Sequence, residues 1–147
     1  MGRAAPRIAG AGGHEPRRHI QLVKRILVVD DDADLRSALS RALKHGGYQV
    51  RGAADGAEAM RLHRELPADL VLTDVYMPGE DGLGEIRALR AGWPGLKIVA
   101  MSGAADRGDI DLLEVAQAFG ADAGVAKPFE LDVLLALVRR LLGAPDA

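Results

Sequence analysis

Between Arg25 and Leu142 the chain alternates short aliphatic runs with helix-periodic segments five times over, and this alternation restricts its fold more than any other feature. Ile26-Leu27-Val28-Val29 is apolar without a break, the pattern of a strand covered on both faces. Leu35, Ala38, Leu39, Ala42 and Leu43 then recur at helical spacing until Gly46-Gly47 ends the segment. Tyr48-Gln49-Val50-Arg51 alternates and predicts a less buried, outer strand. Further strands are predicted at Leu70–Thr73, Ile98–Met101 and Val125-Ala126. Further helices are predicted at Ala57–Leu66, Gly82–Ala91, Ile110–Phe119 and Leu131–Leu142. Pro67, Gly92-Trp93-Pro94 and Gly120 supply the stops. Strict alternation with short connections predicts an α/β fold, a doubly wound sheet with helices on both faces.

Composition agrees with one aliphatic-cored domain. Apolar residues make up 48% of the 147 positions and aromatics only 3%, so Ala, Leu, Val and Ile must fill the core. Without cysteine, neither a disulfide nor a thiolate metal site is available. No apolar run approaches the roughly 20 residues of a membrane-spanning helix, and the basic N-terminus is not followed by the apolar stretch of a secretory signal. The expectation is a cytoplasmic protein with no membrane contact. Residues 1–25 carry a charge of +5 and leave −7 on the body. Gly2, Pro6, Gly10, Gly12, Gly13 and Pro16 mark residues 1–24 as a disordered basic leader rather than a nucleic-acid arm. The expectation is a domain at 25–143 followed by the short tail 144–147, with no room for an effector domain.

The predicted strand ends carry the chemistry. The first ends in Asp30-Asp31-Asp32, the third in Asp74, the fourth in Ser102 and the fifth in Lys127-Pro128. In a parallel sheet these converge on the edge where open α/β sheets bind ligands. If Asp30, Asp31 and Asp74 lie within about 5 Å of one another, each like-charge pair costs on the order of 3 kcal/mol at an effective dielectric near 20. Such a cluster holds protons or binds a cation. Oxygen-only ligands favour a hard cation such as Mg2+. Asp32 or Asp34 is expected to cap the following helix, which leaves the other carboxylates unexplained by capping. Lys127 supplies a point charge and Ser102 a hydrogen bond to a phosphoryl group, while Gly103 leaves room beside them. A cation between carboxylates, with an ammonium and a hydroxyl, can place a phosphoryl group on an aspartate by positioning and charge neutralisation.

Over roughly residues 25–142 the chain resembles the receiver domain of two-component response regulators. The resemblance rests on Ile26–Asp32, Leu70–Pro78 with Asp81-Gly82, Met101-Ser102-Gly103 and Lys127-Pro128-Phe129, four stretches in order at strand ends. It implies a flavodoxin-like, five-stranded parallel sheet of order 2-1-3-4-5 with five helices. It implies that Asp74 accepts a phosphoryl group from a sensor histidine kinase or histidine phosphotransfer protein. Asp31 would bind Mg2+ directly and Asp30 through water, with Asp74 and the backbone carbonyl of Tyr76 completing the protein ligands. Ser102, Gly103 and Lys127 would hold the phosphoryl oxygens, and the bond before Pro128 would be cis. Such a domain is a phosphoacceptor that assists its own phosphorylation and dephosphorylation rather than an enzyme acting on other substrates. Expected to stand alone, it would signal by docking to a downstream protein or by phosphorelay, without nucleic acid.

Three departures from the family pattern are visible. Gly124 stands where an aromatic residue is usual, so any rearrangement must use another side chain; the alternative is a receiver-fold interaction module that no longer switches. Tyr76 is bulky for the lip of the site and would slow hydrolysis. The stretch 103–109 is longer than the family norm. Two further rivals fare worse: strand-end aspartates would repel a flavin phosphate, and a haloacid-dehalogenase-type hydrolase needs an aspartate where this chain has Tyr76. His14 lies in the leader, while His19, His45 and His63 have no ligand-spaced partners and are expected to be solvated. Trp93 is expected to anchor a loop. In the last helix Leu131, Leu134, Leu135, Val138, Leu141 and Leu142 form one stripe, leaving Val133 and Leu137 at or beyond its margin. Those two are the candidates for an interaction face, in a homodimer through the fourth helix, fifth strand and fifth helix.

Overall fold

A computed structural model describes residues 23–77, 81–103 and 111–143. The strands are β1 (Arg25–Val29), β2 (Gln49–Ala53), β3 (Leu70–Asp74), β4 (Lys97–Gly103) and β5 (Ala123–Lys127). The helices are α1 (Ala33–His45), α2 (Gly56–Glu65), α3 (Gly82–Gly92), α4 (Leu112–Phe119) and α5 (Leu131–Leu142). All strand pairs are parallel, in the order β2-β1-β3-β4-β5. This is the doubly wound sheet with the strand order that the resemblance implied.

The unbroken apolar runs are explained by two cores, one on each face of the sheet. Ile26, Val28, Leu70, Leu72, Val99 and Met101 face Leu39 and Leu43 of α1 and Leu134 and Val138 of α5. The alternate residues Leu27, Val29, Val71, Ile98 and Ala100 face Ala59 of α2, Ile86 and Leu89 of α3 and Ala116 of α4. Period-two alternation thus sends neighbouring residues to opposite faces, and both faces are dry. Gln49 and Gly52 are exposed in β2, as an outer strand should be. Aspartates start the first four helices: the side chains of Asp32, Asp55, Asp81 and Asp111 accept from the N–H groups of the first turns.

Several details differ from the sequence-based expectations. β5 runs over Ala123–Lys127, longer than Val125-Ala126. His63 is not solvated: it is 1% exposed, its Nδ1 accepts from the Ala68 N–H at 3.0 Å, and its ring meets Trp93 edge-on at 4.4 Å. The reason is helical spacing, since His63 lies four residues after the buried Ala59. Trp93 does anchor its loop, packing on the α2–α4 core. Leu137 is half-buried against the α1–α5 core, so only Val133, 56% exposed, remains an open apolar residue of the proposed pair. His14, His19, Pro78, the stretch 104–110 and the tail lie outside the described residues. Among the described residues, no helix is long and apolar enough to cross a membrane.

Candidate functional site

The parallel order brings the C-terminal ends of β1, β3, β4 and β5 side by side. Asp30, just beyond β1, is fully buried, and Asp74 at the end of β3 is nearly so. Lys127, the last residue of β5, reaches between them: its Nζ donates to Asp30 Oδ2 at 2.9 Å and to Asp74 Oδ2 at 3.0 Å. The remaining carboxylate oxygens are also held. Asp30 Oδ1 accepts from the Asp32 N–H at 2.9 Å, and Asp74 Oδ1 from the Tyr76 N–H at 3.0 Å. Asp31 is exposed, and one carboxylate oxygen each from Asp30, Asp31 and Asp74 lie within 4.8 Å of one another.

Asp32, the third of the consecutive aspartates, turns away to cap α1, accepting from the N–H groups of Asp34 and Leu35. Ser102 is fully buried on β4, and the register sets Gly103 opposite Lys127. The Ser102 hydroxyl donates only a long bond, 3.4 Å, to the Gly103 carbonyl, which leaves it easy to redirect. The Tyr76 ring is 52% exposed on the lip. The Lys127–Pro128 bond is cis. An apolar hollow of about 490 Å3, lined by Leu35, Ala38, Phe129 and Leu131 among others, borders Lys127 and Gly103.

Electrostatically the site is poised. Burial pushes the Asp74 carboxyl above the usual carboxylate range, against the opposing pull of the Tyr76 N–H and of Lys127. Burial alone would push Lys127 down, but its hydrogen bonds and ion pairs with Asp30 and Asp74 outweigh that and raise it, so it stays an ammonium. A carboxylate cluster with one ammonium for two buried acids still carries excess negative charge. Its donors are all oxygen, with no imidazole or thiolate in the group, which fits a hard divalent cation.

One contributor was not anticipated from the sequence. Arg36, in the first turn of α1, donates from Nη1 to the Asp30 carbonyl at 2.6 Å. The only local signal was a basic residue one turn into the helix that follows the acidic run.

A sequence profile described as the response regulator receiver domain matches residues 26–139. The chain belongs to that family. Receiver domains bind Mg2+ at an acidic pocket and work with histidine kinases or phosphotransfer proteins. This receiver domain is 39% identical over 118 residues to the transcriptional regulatory protein PrrA of Mycobacterium tuberculosis, a match covering 80% of this chain and 49% of PrrA. It is 41% identical over 124 residues to the DNA-binding response regulator MtrA of the same organism, covering 84% and 52%. The chain therefore spans about half the length of the curated relatives it matches. Among solved structures, the receiver domain of NtrX from Brucella abortus superposes with a TM-score of 0.74 at 32% identity, covering 80% of this receiver and 97% of that chain. The chemotaxis response regulator CheY4 of Vibrio cholerae gives 0.71 at 28% identity, covering 81% and 98%.

Proposed function

We propose that this receiver domain accepts a phosphoryl group on Asp74 from a phosphohistidine of a sensor histidine kinase or phosphotransfer protein, and signals through protein contacts. The observation that carries the reading is the bridge of Lys127 between the Asp30 and Asp74 carboxylates, with Asp31 beside them. Asp31, Asp74 and the Tyr76 carbonyl, with Asp30 through water, would hold Mg2+, which when bound would supply charge neutralisation. The chain's own groups do the rest. An Asp74 oxygen attacks phosphorus as the P–N bond to the donor imidazole breaks, and the imidazole nitrogen keeps the electron pair and takes a proton from solvent. Lys127 exchanges its Asp74 bond for a phosphoryl oxygen, keeping the new negative charge paired. The Ser102 hydroxyl gives up its long bond to Gly103 and donates to a second phosphoryl oxygen. Water clears the group by attacking phosphorus as the P–O bond to Asp74 breaks, releasing inorganic phosphate and the free Asp74 carboxylate, so the domain assists both its loading and its clearing.

A second reading has its own support: a receiver fold that acts as an interaction module without rearranging, favoured by Gly124. The deciding experiment is intact mass after incubation with acetyl phosphate, with and without Mg2+, beside Asp74→Asn. One phosphoryl adduct that needs Mg2+ and is absent from the variant supports the phosphoacceptor. A folded protein that never acquires the adduct overturns it in favour of the module.

A further inference from the structure

Asp30 is fixed at each of its polar atoms. Its N–H donates to the Ala53 carbonyl at 3.1 Å, Oδ1 accepts from Asp32 and Oδ2 from Lys127. Its carbonyl is held by the Arg36 guanidinium at 2.6 Å. The first three contacts come from backbone or from the site itself. The fourth crosses from α1, and it depends on a neighbouring strand. The Arg36 stem lies over Gly52 of β2 so closely that a Cβ there would sit 3.1 Å from its Cδ and 3.2 Å from its Cγ. Gly52 pairs with Val28, two residues before Asp30. A missing side chain on the outer strand thus gives the arginine its path to the acidic cluster.

We propose that Arg36 is a positioning residue for the cation site: seated on Gly52, it fixes the peptide plane of Asp30 and so the aim of that carboxylate toward the ion. The proposal deepens the phosphoacceptor reading and rests on it. Two effects of Arg36 oppose each other, which makes the idea decidable. As a positive charge near the cluster it repels a cation, so removing charge alone would tighten Mg2+ binding. As a clamp on Asp30 it preorganises a ligand, so removing it loosens binding. The clamp is the larger effect because the guanidinium contacts the backbone of a fully buried ligand, while its field is shared with solvent.

The test titrates Mg2+ calorimetrically into wild type, Arg36→Met and Gly52→Ala, and measures acetyl phosphate labelling across a Mg2+ series. Arg36→Met is expected to raise the Mg2+ dissociation constant about tenfold, the lower end for lost outer-shell partners. Gly52→Ala keeps the charge but crowds the stem, and is expected to shift the constant the same way by less. In both, the labelling rate at saturating Mg2+ returns close to wild type, a split that general unfolding would not give. Unchanged or tighter Mg2+ binding in Arg36→Met, with wild type binding normally, overturns the proposal and leaves the phosphoacceptor reading intact. A wild type that neither binds Mg2+ nor is labelled overturns both. Should Arg36→Met not fold, Gly52→Ala decides alone: an unchanged constant there overturns the clamp.

Discussion

Leu113 of α4 rests on the bare backbone of Gly124 in β5: a Cβ at Gly124 would lie 3.1 Å from both Cβ and Cδ2 of Leu113. Any side chain added at residue 124, an aromatic ring included, would begin in tight contact with this leucine. Introducing the ring with Gly124→Tyr is expected to destabilise the domain by about 1–3 kcal/mol, the usual range for overpacking. Leu113→Ala in the same chain should recover part of that loss. Urea denaturation of the two single variants and the double variant tests this. A coupling energy near zero would mean the ring escapes outward without meeting α4.

Lys127 balances two buried acids, so the site should be a local burden on stability when no cation is supplied. In EDTA, Lys127→Met is expected to be less stable than wild type. The ~3–5 kcal/mol typical of breaking buried pairs is an upper bound, because the Lys127 side chain keeps 22% exposure. Asp74→Asn is expected to be more stable than wild type, since burial disfavours the ionised carboxylate that it removes. Added Mg2+ should raise the melting temperature of wild type, by linkage, and much less that of Asp74→Asn. Equal melting temperatures for wild type and Asp74→Asn in EDTA would show that the acids are not in conflict.

Much of this was legible in the residues alone because it is local or set by strand periodicity. Ile26–Val29 and Leu70–Thr73 announce two-faced burial, and a parallel sheet then has to gather Asp30, Asp31, Asp74, Ser102 and Lys127 at one edge. What escaped is tertiary. Arg36 reaches Asp30 across residue 52 of a different strand, where the absence of a side chain leaves room for its stem. His63, expected to be solvated because it has no ligand-spaced partners, is buried instead, on the face where its spacing from Ala59 puts it. Leu137 has an ambiguous angular position, and only the actual seating of α5 puts it against the core.

His63 should make stability fall on the acid side. Burial, with the nearby Arg51 charge, holds its imidazole below the ordinary histidine value. Above pH ~6.5 both folded and unfolded chains carry it neutral, and its contribution is complete. As pH falls below that value the unfolded chain takes up a proton that the folded chain refuses, so stability drops by up to about 1.4 kcal/mol per pH unit. His63→Gln keeps a polar side chain near the Ala68 N–H but does not titrate. Urea midpoints between pH 5 and 7.5 should therefore fall less steeply in the variant. Parallel slopes in the two proteins would contradict the assignment.

At the opposite end of the sheet from the site, Arg90 gathers the chain through carbonyls. Its Nε donates to Gly120 at 3.0 Å, Nη1 to Pro94 at 2.8 Å and Leu96 at 2.6 Å, and Nη2 to the Asp122 carboxylate at 2.7 Å. Asp122 in turn accepts from the Ile98 N–H at 2.8 Å. One planar fork thus ties the end of α3 to the start of β4 and to the turn before β5, a geometry that lysine cannot copy. Gly120 belongs to the same device: its φ is +128°, and a Cβ there would meet the Arg90 Cβ at 2.9 Å. Arg90→Ala is expected to lower stability by about 2–3 kcal/mol, the scale for losing charge-assisted bonds to several acceptors. Arg90→Lys should recover little of it, and Gly120→Ala should destabilise in the same direction. Because none of these groups touches Asp30, Asp74 or Lys127, acetyl phosphate labelling per folded molecule should stay at the wild-type rate. Urea denaturation beside single-turnover labelling separates the two: an Arg90→Lys variant as stable as wild type would mean that charge, not the fork, holds this end of the fold.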